Sequence, residues 1–156
     1  MSKELRAYIA GFLDGDGSIH VRLKPNKTYR FRFQVAPSIV FYQAKKEKQF
    51  LEWMQKILQR GYLRDRNDGI CEYVIGDQKS MLWLIAELLP YLKLKKRQAQ
   101  LMREVLLFKD KVENGKDFLI LSQKIDEFQK LNYSKRRTQN SLVVREVLTQ
   151  EGLLTP

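Results

Sequence analysis

The chain has 156 residues, with 29 Lys and Arg against 18 Asp and Glu and a formal net charge of +11. That length suits a single domain with a sizeable core, and the charge favours a polyanionic partner, nucleic acid ahead of an anionic membrane. One cysteine and one histidine exclude an intramolecular disulfide and a Cys/His zinc centre, and no apolar run approaches the ~20 residues that span a bilayer.

The first element is a helix ending in Ile9-Ala10-Gly11-Phe12-Leu13-Asp14-Gly15-Asp16-Gly17-Ser18. Ala7, Gly11 and Gly15 lie at i, i+4 and i+8, so one face carries no bulky side chain and admits close approach of a second backbone. Tyr8, Ile9, Phe12 and Leu13 cover much of the rest, which implies burial nearly all round. Asp14 and Asp16 bring carboxylates to the helix end, a pattern that suggests a metal site shared across a helix–helix contact. An EF-hand loop is excluded, because in that register Phe12 and Leu23 fall at positions 1 and 12, where carboxylates are required.

Two strands follow. Ser18 to Lys24 alternates with Ile19, Val21 and Leu23 inward, and Arg22 and Lys24 outward. After a turn at Pro25-Asn26-Lys27, residues 29–39 repeat the pattern. Phe31, Phe33, Val35 and Ile39 face inward; Arg30, Arg32, Gln34 and Ser38 face outward, with a bend expected at Pro37. Residues 45–59 read as a helix. Residues 61–66 and 70–75 form a hairpin around Asn67-Asp68-Gly69; Tyr62, Arg64, Arg66 and Glu72 point out, while Leu63, Cys71, Tyr73 and Ile75 point in. Helices are expected from Asp77 to about Leu89, then over 95–113, 116–131 and 142–148.

The order α-β-β-α-β-β-α repeats a helix and a hairpin, which predicts an α+β fold with one four-stranded antiparallel sheet. The chain is expected to be one domain, with a core over about 3–131 and a helical tail over about 132–156. Its outer sheet face is rich in arginine, the residue that reads guanine bidentately in the major groove, while Gln34 and Asn26 suit adenine. Ten strand residues at ~3.3 Å each span about one turn of duplex.

The segment Ile9–Gly17 resembles the LAGLIDADG motif, and Gly61–Arg66 and Leu92-Lys93-Leu94-Lys95-Lys96-Arg97-Gln98-Ala99 continue the likeness. The chain is similar to the single-motif, homodimeric homing endonucleases. That resemblance implies site-specific, divalent-metal-dependent hydrolysis of both strands of a long pseudo-palindromic DNA site, promoting mobility of an intron or intein. An RNA maturase or a non-cleaving DNA-binding protein is the alternative on the same scaffold. It places Asp16 as metal-binding acid with the Gly15 carbonyl beside it, Gln43 as a residue ordering solvent, and Lys95 near the scissile phosphate. Mg²⁺ is the expected ion, with Mn²⁺ or Ca²⁺ able to replace it; Asp14 is read as structural. The expected DNA contacts are Arg22, Lys24, Asn26, Thr28, Tyr29, Arg30, Arg32, Gln34 and Ser38, then Arg64, Arg66 and Glu72, and Lys135 and Arg137 in the tail. Ala7, Tyr8, Gly11, Phe12 and Gly15 form the expected dimer contact. Glu47 stands where relatives carry a basic residue, leaving Lys45, Lys46 or Lys48 to substitute. A restriction-type acidic-x-Lys element at Asp77-Gln78-Lys79 lacks the strand context it needs. The setting is expected to be intracellular, without a visible targeting peptide, and the gene organellar (chloroplast or mitochondrion).

Overall fold

The computed structural model describes residues 1–132 and 137–154. Helix α1 (Lys3–Asp16) starts at an N-cap, where the Ser2 hydroxyl accepts the Leu5 N–H at 3.2 Å. It leads into β1 (Gly17–Pro25) and, after a loop, β2 (Phe33–Ala44). A 3-10 turn (Lys45–Glu47), α2 (Lys48–Leu58), β3 (Tyr62–Asp65), β4 (Ile70–Ile75) and α3 (Gln78–Leu88) complete the repeat. Then come α4 (Lys96–Lys109), α5 (Gly115–Asp126), α6 (Phe128–Leu131) and α7 (Ser141–Gln150). The strands are hydrogen-bonded in the order β1-β2-β4-β3. Strand β4 is antiparallel to both β2 and β3, with Gln43 opposite Cys71 and Arg64 opposite Glu72. The α+β architecture expected from the alternation of periods is therefore the one observed.

The described residues divide into two compact units, one of Met1–Ile19 and Pro37–Gln100, the other of His20–Ala36 and the described residues from Leu101 onward. In the first, an aromatic run leads from the surface inward. Tyr8 and Trp53 lie edge-on, Phe50 contacts both, Phe12 meets Phe50 and stacks on Phe41, and Phe41 stacks on Tyr73. Burial pushes the Tyr73 phenol up to about 12, and its hydroxyl donates to the Arg60 carbonyl at 2.5 Å. Cys71 is buried in β4, the small strand residue its neighbours suggest. In the second unit Phe31 and Phe33 both stack on Phe118 of α5, and Asn140 caps α7 by accepting from Leu142 and Val143.

The boundaries differ from expectation in three places, and local hydrogen bonding accounts for the first and the third. Residues 29–32 are not strand. The Asn26 side chain accepts both the N–H and the hydroxyl of Thr28, at 3.0 and 2.7 Å, which turns the backbone out of extension. Arg32 then takes the left-handed region at φ 67°, and Asn26 N–H to Arg32 C=O at 2.7 Å closes the loop. Second, β2 runs on through Pro37 to Ala44. Third, the helix expected over 116–131 is two, because around Glu127 the chain makes shorter i to i+3 hydrogen bonds, Glu127 N–H to Lys124 C=O and Lys130 N–H to Glu127 C=O.

Two glycines with positive φ separate backbone strain from crowding. Gly61 (φ +71°) would place a Cβ 2.3 Å from the Val74 carbonyl oxygen, whereas Gly69 (φ +81°) faces open space. Gly69→Ala should cost about 1–2 kcal/mol, the left-handed penalty alone. Gly61→Ala should cost clearly more, since strand pairing must also give way; urea unfolding of the two variants measures the difference.

Candidate active site and nucleic-acid interface

The end of α1 is held by one carboxylate. Asp14 accepts from the backbone N–H groups of Lys93 (2.7 Å), Leu94 (3.2 Å) and Lys95 (2.8 Å), the bend that enters α4. In return the Lys95 ammonium donates to the Asp14 carbonyl at 2.5 Å. Burial pulls the Lys95 pKa below its ordinary 10.5, opposed by the charges of Asp14 and Asp16. Asp14 is thus occupied on both oxygens. Asp16, one half-turn on, is exposed, and no described residue hydrogen-bonds to its carboxylate. The Gly15 carbonyl lies in the last turn, where helix carbonyls have no intrahelical donor. Gln43, at the end of β2, is half-buried and its side chain accepts from the Ala44 N–H at 3.3 Å.

No three His, Cys, Asp or Glu side chains gather into a metal cage among the described residues. One open carboxylate and a helix-end carbonyl are hard oxygen donors. They fit an ion such as Mg²⁺, which retains waters and takes few protein ligands, its remaining positions being filled by phosphate. Asp77 caps α3 by accepting the Ser80 N–H at 2.8 Å, so the Asp77-Gln78-Lys79 element is a helix cap.

Within the first unit, Arg64 and Arg66 stand on and just beyond β3, both exposed. Glu72 does not face solvent with them as alternation implied. It is only 4 % exposed, because both arginines fold over it: Arg64 donates through Nε and Nη2, and Arg66 through Nη1 at 3.3 Å. A direct contact from Glu72 to a base is therefore replaced by contact with the two arginines. Asp68, in the turn of the hairpin, takes Arg66 Nη2 at 2.5 Å. These acids raise the pKa of both guanidinium groups. Asp65 likewise engages Lys48 at 3.0 Å and Lys45 at 3.9 Å, and Ser38 is half-buried on β2.

In the second unit, Arg22 and Lys24 are exposed at alternate positions of β1, and Gln34 is half-buried on β2. Thr28, Tyr29 and Arg30 project from the loop that Asn26 organises, with Arg30 over the Phe31 ring at 5.0 Å. Arg32 is engaged: Nε donates to Glu151 at 2.9 Å and Nη1 to the Lys27 carbonyl at 3.2 Å. Arg137, expected as a DNA contact, is turned towards backbone. Its guanidinium donates to the Ile125 and Val21 carbonyls at 3.1 and 2.9 Å and is half-buried, so it staples backbone. Lys135 lies outside the described residues.

The α1 face expected to meet a second molecule is open. Ala7, Tyr8, Gly11 and Gly15 are exposed and Phe12 is half-buried. The α1 helix is therefore buried on the Ile9, Ala10 and Leu13 side only, rather than all round. Trp53, beside Tyr8, extends the exposed aromatic surface, a neighbour that helix periodicity could not supply because it comes from α2.

Among the described residues no helix is long and apolar enough to cross a membrane. The family model described as LAGLIDADG endonuclease matches residues 9–106. The DNA endonuclease I-CreI of Chlamydomonas reinhardtii is 34% identical over 148 residues, 94% of this chain and 90% of that protein. I-CvuI of Chlorella vulgaris is 34% identical over 149 residues, 94% of this chain and 91% of that protein. The crystal structure of I-CvuI in complex with its target in the presence of 2 mM Ca matches with a TM-score of 0.92 at 30% identity, over 97% of each chain. A second I-CvuI complex, with the I-CreI target and 2 mM Mg, matches at 0.93 and 30% identity over 98% of each. With the family model matching most of the chain and both relatives matching nearly its whole length, this chain belongs to the LAGLIDADG homing endonucleases.

Proposed function

We propose that two copies of this chain, paired through α1, cut both strands of a long pseudo-palindromic DNA site with divalent ions, and so promote mobility of the intron or intein that encodes it. The observation that carries this reading is the contrast between two neighbouring acids: Asp14 is consumed by the fold, while Asp16 stands open beside Lys95. Asp16 and the Gly15 carbonyl would hold the ion, which when bound activates water and neutralises charge on the phosphate. Lys95, kept at the end of α1 by the Asp14 carbonyl, offers a fixed positive charge to the phosphate. Gln43 has amide donors to orient solvent.

Pairing is supported by space. A Cβ at Gly11 or Gly15 would meet nothing within 4 Å, so neither glycine is required by packing inside the chain. Their smallness serves a body that lies against them, and a second α1 has the complementary bare stripe. Two copies bring the two Asp16 carboxylates that two scissile bonds need. The lone, buried Cys71 supports a reducing intracellular compartment, and an organellar gene belongs to this reading.

The two acids should separate in experiment. Asp16→Asn should abolish Mg²⁺-dependent nicking and cutting of plasmid while leaving thermal stability and DNA binding near wild type. Asp14→Ala should instead lose about 1–3 kcal/mol of stability, since three N–H groups lose their acceptor; thermal melting distinguishes them.

Lys95 gives a pH test. Its pKa is lowered in the fold, so between that value and 10.5 the unfolded chain holds the extra proton and stability rises with pH. That rise should be absent from the Lys95→Met protein when unfolding is followed across the same alkaline range.

Gly11→Leu places a branched side chain on the bare stripe. The monomer should keep its melting behaviour, yet sedimentation should show loss of dimer and plasmid assays loss of double-strand cleavage together.

A further inference from the structure

We infer that the C-terminal end of α7 anchors a recognition loop: Glu151, acting through Arg32, is a positioning residue that sets residues 26–32 in the shape that offers Thr28, Tyr29 and Arg30 to DNA. The inference rests on the reading of this chain as a sequence-specific DNA endonuclease. It makes Arg32 the latch of the loop rather than a DNA contact.

The loop is folded around Arg32. Its backbone N–H donates to the Tyr29 carbonyl at 2.9 Å, its carbonyl accepts the Asn26 N–H at 2.7 Å, and Nη1 donates to the Lys27 carbonyl at 3.2 Å. One residue thus ties three others of the same loop. It does so in the left-handed region, at φ 67°, which residues other than glycine keep only where several contacts hold them there. The fourth contact comes from outside the loop. Nε donates to Glu151 Oε2 at 2.9 Å, 119 residues further along the chain. With the guanidinium turned onto an acid and a carbonyl, the exposed side chains of Thr28, Tyr29 and Arg30 are left at the tip. Phe31, stacked on Phe118, ends the free stretch on one side.

Glu151 is itself well fixed, as the C-cap of α7. Gly152 turns the chain at φ +68°. Its N–H donates to the Thr149 carbonyl at 3.1 Å, and the Leu153 N–H donates to the Leu148 carbonyl at 2.8 Å, the two bonds of a Schellman closure. Leu148 is fully buried. The Leu153 carbonyl lies against Gly115 at the start of α5, where a Cβ would stand 2.0 Å from its oxygen. The acid is therefore held by backbone on either side of it, and the loop is held by the acid. An ion pair this open adds little to global stability; its effect is on how often the loop opens locally.

The test uses the full chain. A randomised duplex library first yields the preferred site, and competition binding without divalent ion then measures every single base-pair variant of it. Glu151→Gln should lower discrimination about three- to tenfold at one short run of base pairs in each half-site, the ordering cost of a released side chain or two. Arg32→Gly, which keeps the left-handed turn and loses the side chain, should weaken the same run. The two changes together should lose no more than one alone. Arg32→Glu combined with Glu151→Arg, which rebuilds the pair with its charges reversed, should recover most of the loss. In the free protein, hydrogen exchange at the Asn26 amide should become about tenfold faster in Glu151→Gln, with the β4 amides unchanged. Wild-type discrimination in Glu151→Gln would overturn the inference. So would losses at different base pairs in the two single variants, or no recovery in the charge-reversed pair, since Arg32 would then be reading DNA itself. Failure of the wild-type protein to enrich any sequence would overturn the endonuclease reading instead. The Asn26 amide would still decide whether Glu151 holds the loop, an unchanged rate showing that it does not.

Discussion

The site depends on the reach of Asp14 across nearly eighty residues of chain. A carboxylate at the end of one helix takes three consecutive N–H groups from the bend that enters another. Charge-assisted bonds to backbone donors are among the stronger polar contacts, and several on one group restrain both position and rotation. Lys95 follows from this, since its backbone is one of the three donors and its ammonium returns to the Asp14 carbonyl. The residue that defines the geometry is therefore not the one left open for chemistry. The two acids of the motif differ in this, one held by the fold and the other left open to solvent.

Much of this was legible in the sequence, for a physical reason. Small residues four apart, an acid at a helix end and period-two strands are local patterns, and α1, β1, β4 and the second hairpin follow from them directly. The structural role of Asp14 was also within reach, although its partners were not, because they lie far along the chain. Local patterns say less where one side chain overrules its neighbours. Asn26 turns the backbone and removes residues 29–32 from the strand. Alternation set Glu72 on the outer face correctly in register but said nothing of its burial, which two arginines from the adjacent strand and turn produce. Nothing next to Arg137 in the chain signals that its guanidinium lies on two backbone carbonyls rather than facing DNA, because the Val21 carbonyl comes from the other end of the chain.

Net charge is a coarse guide to an electrostatic surface. The chain carries a large basic excess, yet several of the arginines that alternation turned outward are held by acids: Arg64 and Arg66 by Glu72, Arg66 also by Asp68, and Arg32 by Glu151. The exposed pairs among these, Arg32 with Glu151 and Arg66 with Asp68, add little stability. Their effect is on order, because a long side chain with one edge engaged explores fewer conformations than a free one. Lys24 and Arg22, standing open on β1, are the contrasting kind, suited to following a phosphate backbone whose position varies with sequence.

The bare stripe on α1 has an evolutionary consequence. A surface that meets its own copy across a two-fold axis experiences each substitution twice, once on either side of the same contact. A modest side chain at Gly11 or Gly15, harmless inside one chain where nothing stands within 4 Å, would confront itself in the proposed pair. Such positions can drift only where the two sides are freed to differ, as when a gene duplicates and its halves are joined into one chain. Until then, in the proposed pair, the smallest residues on this helix stay small because each faces its own copy.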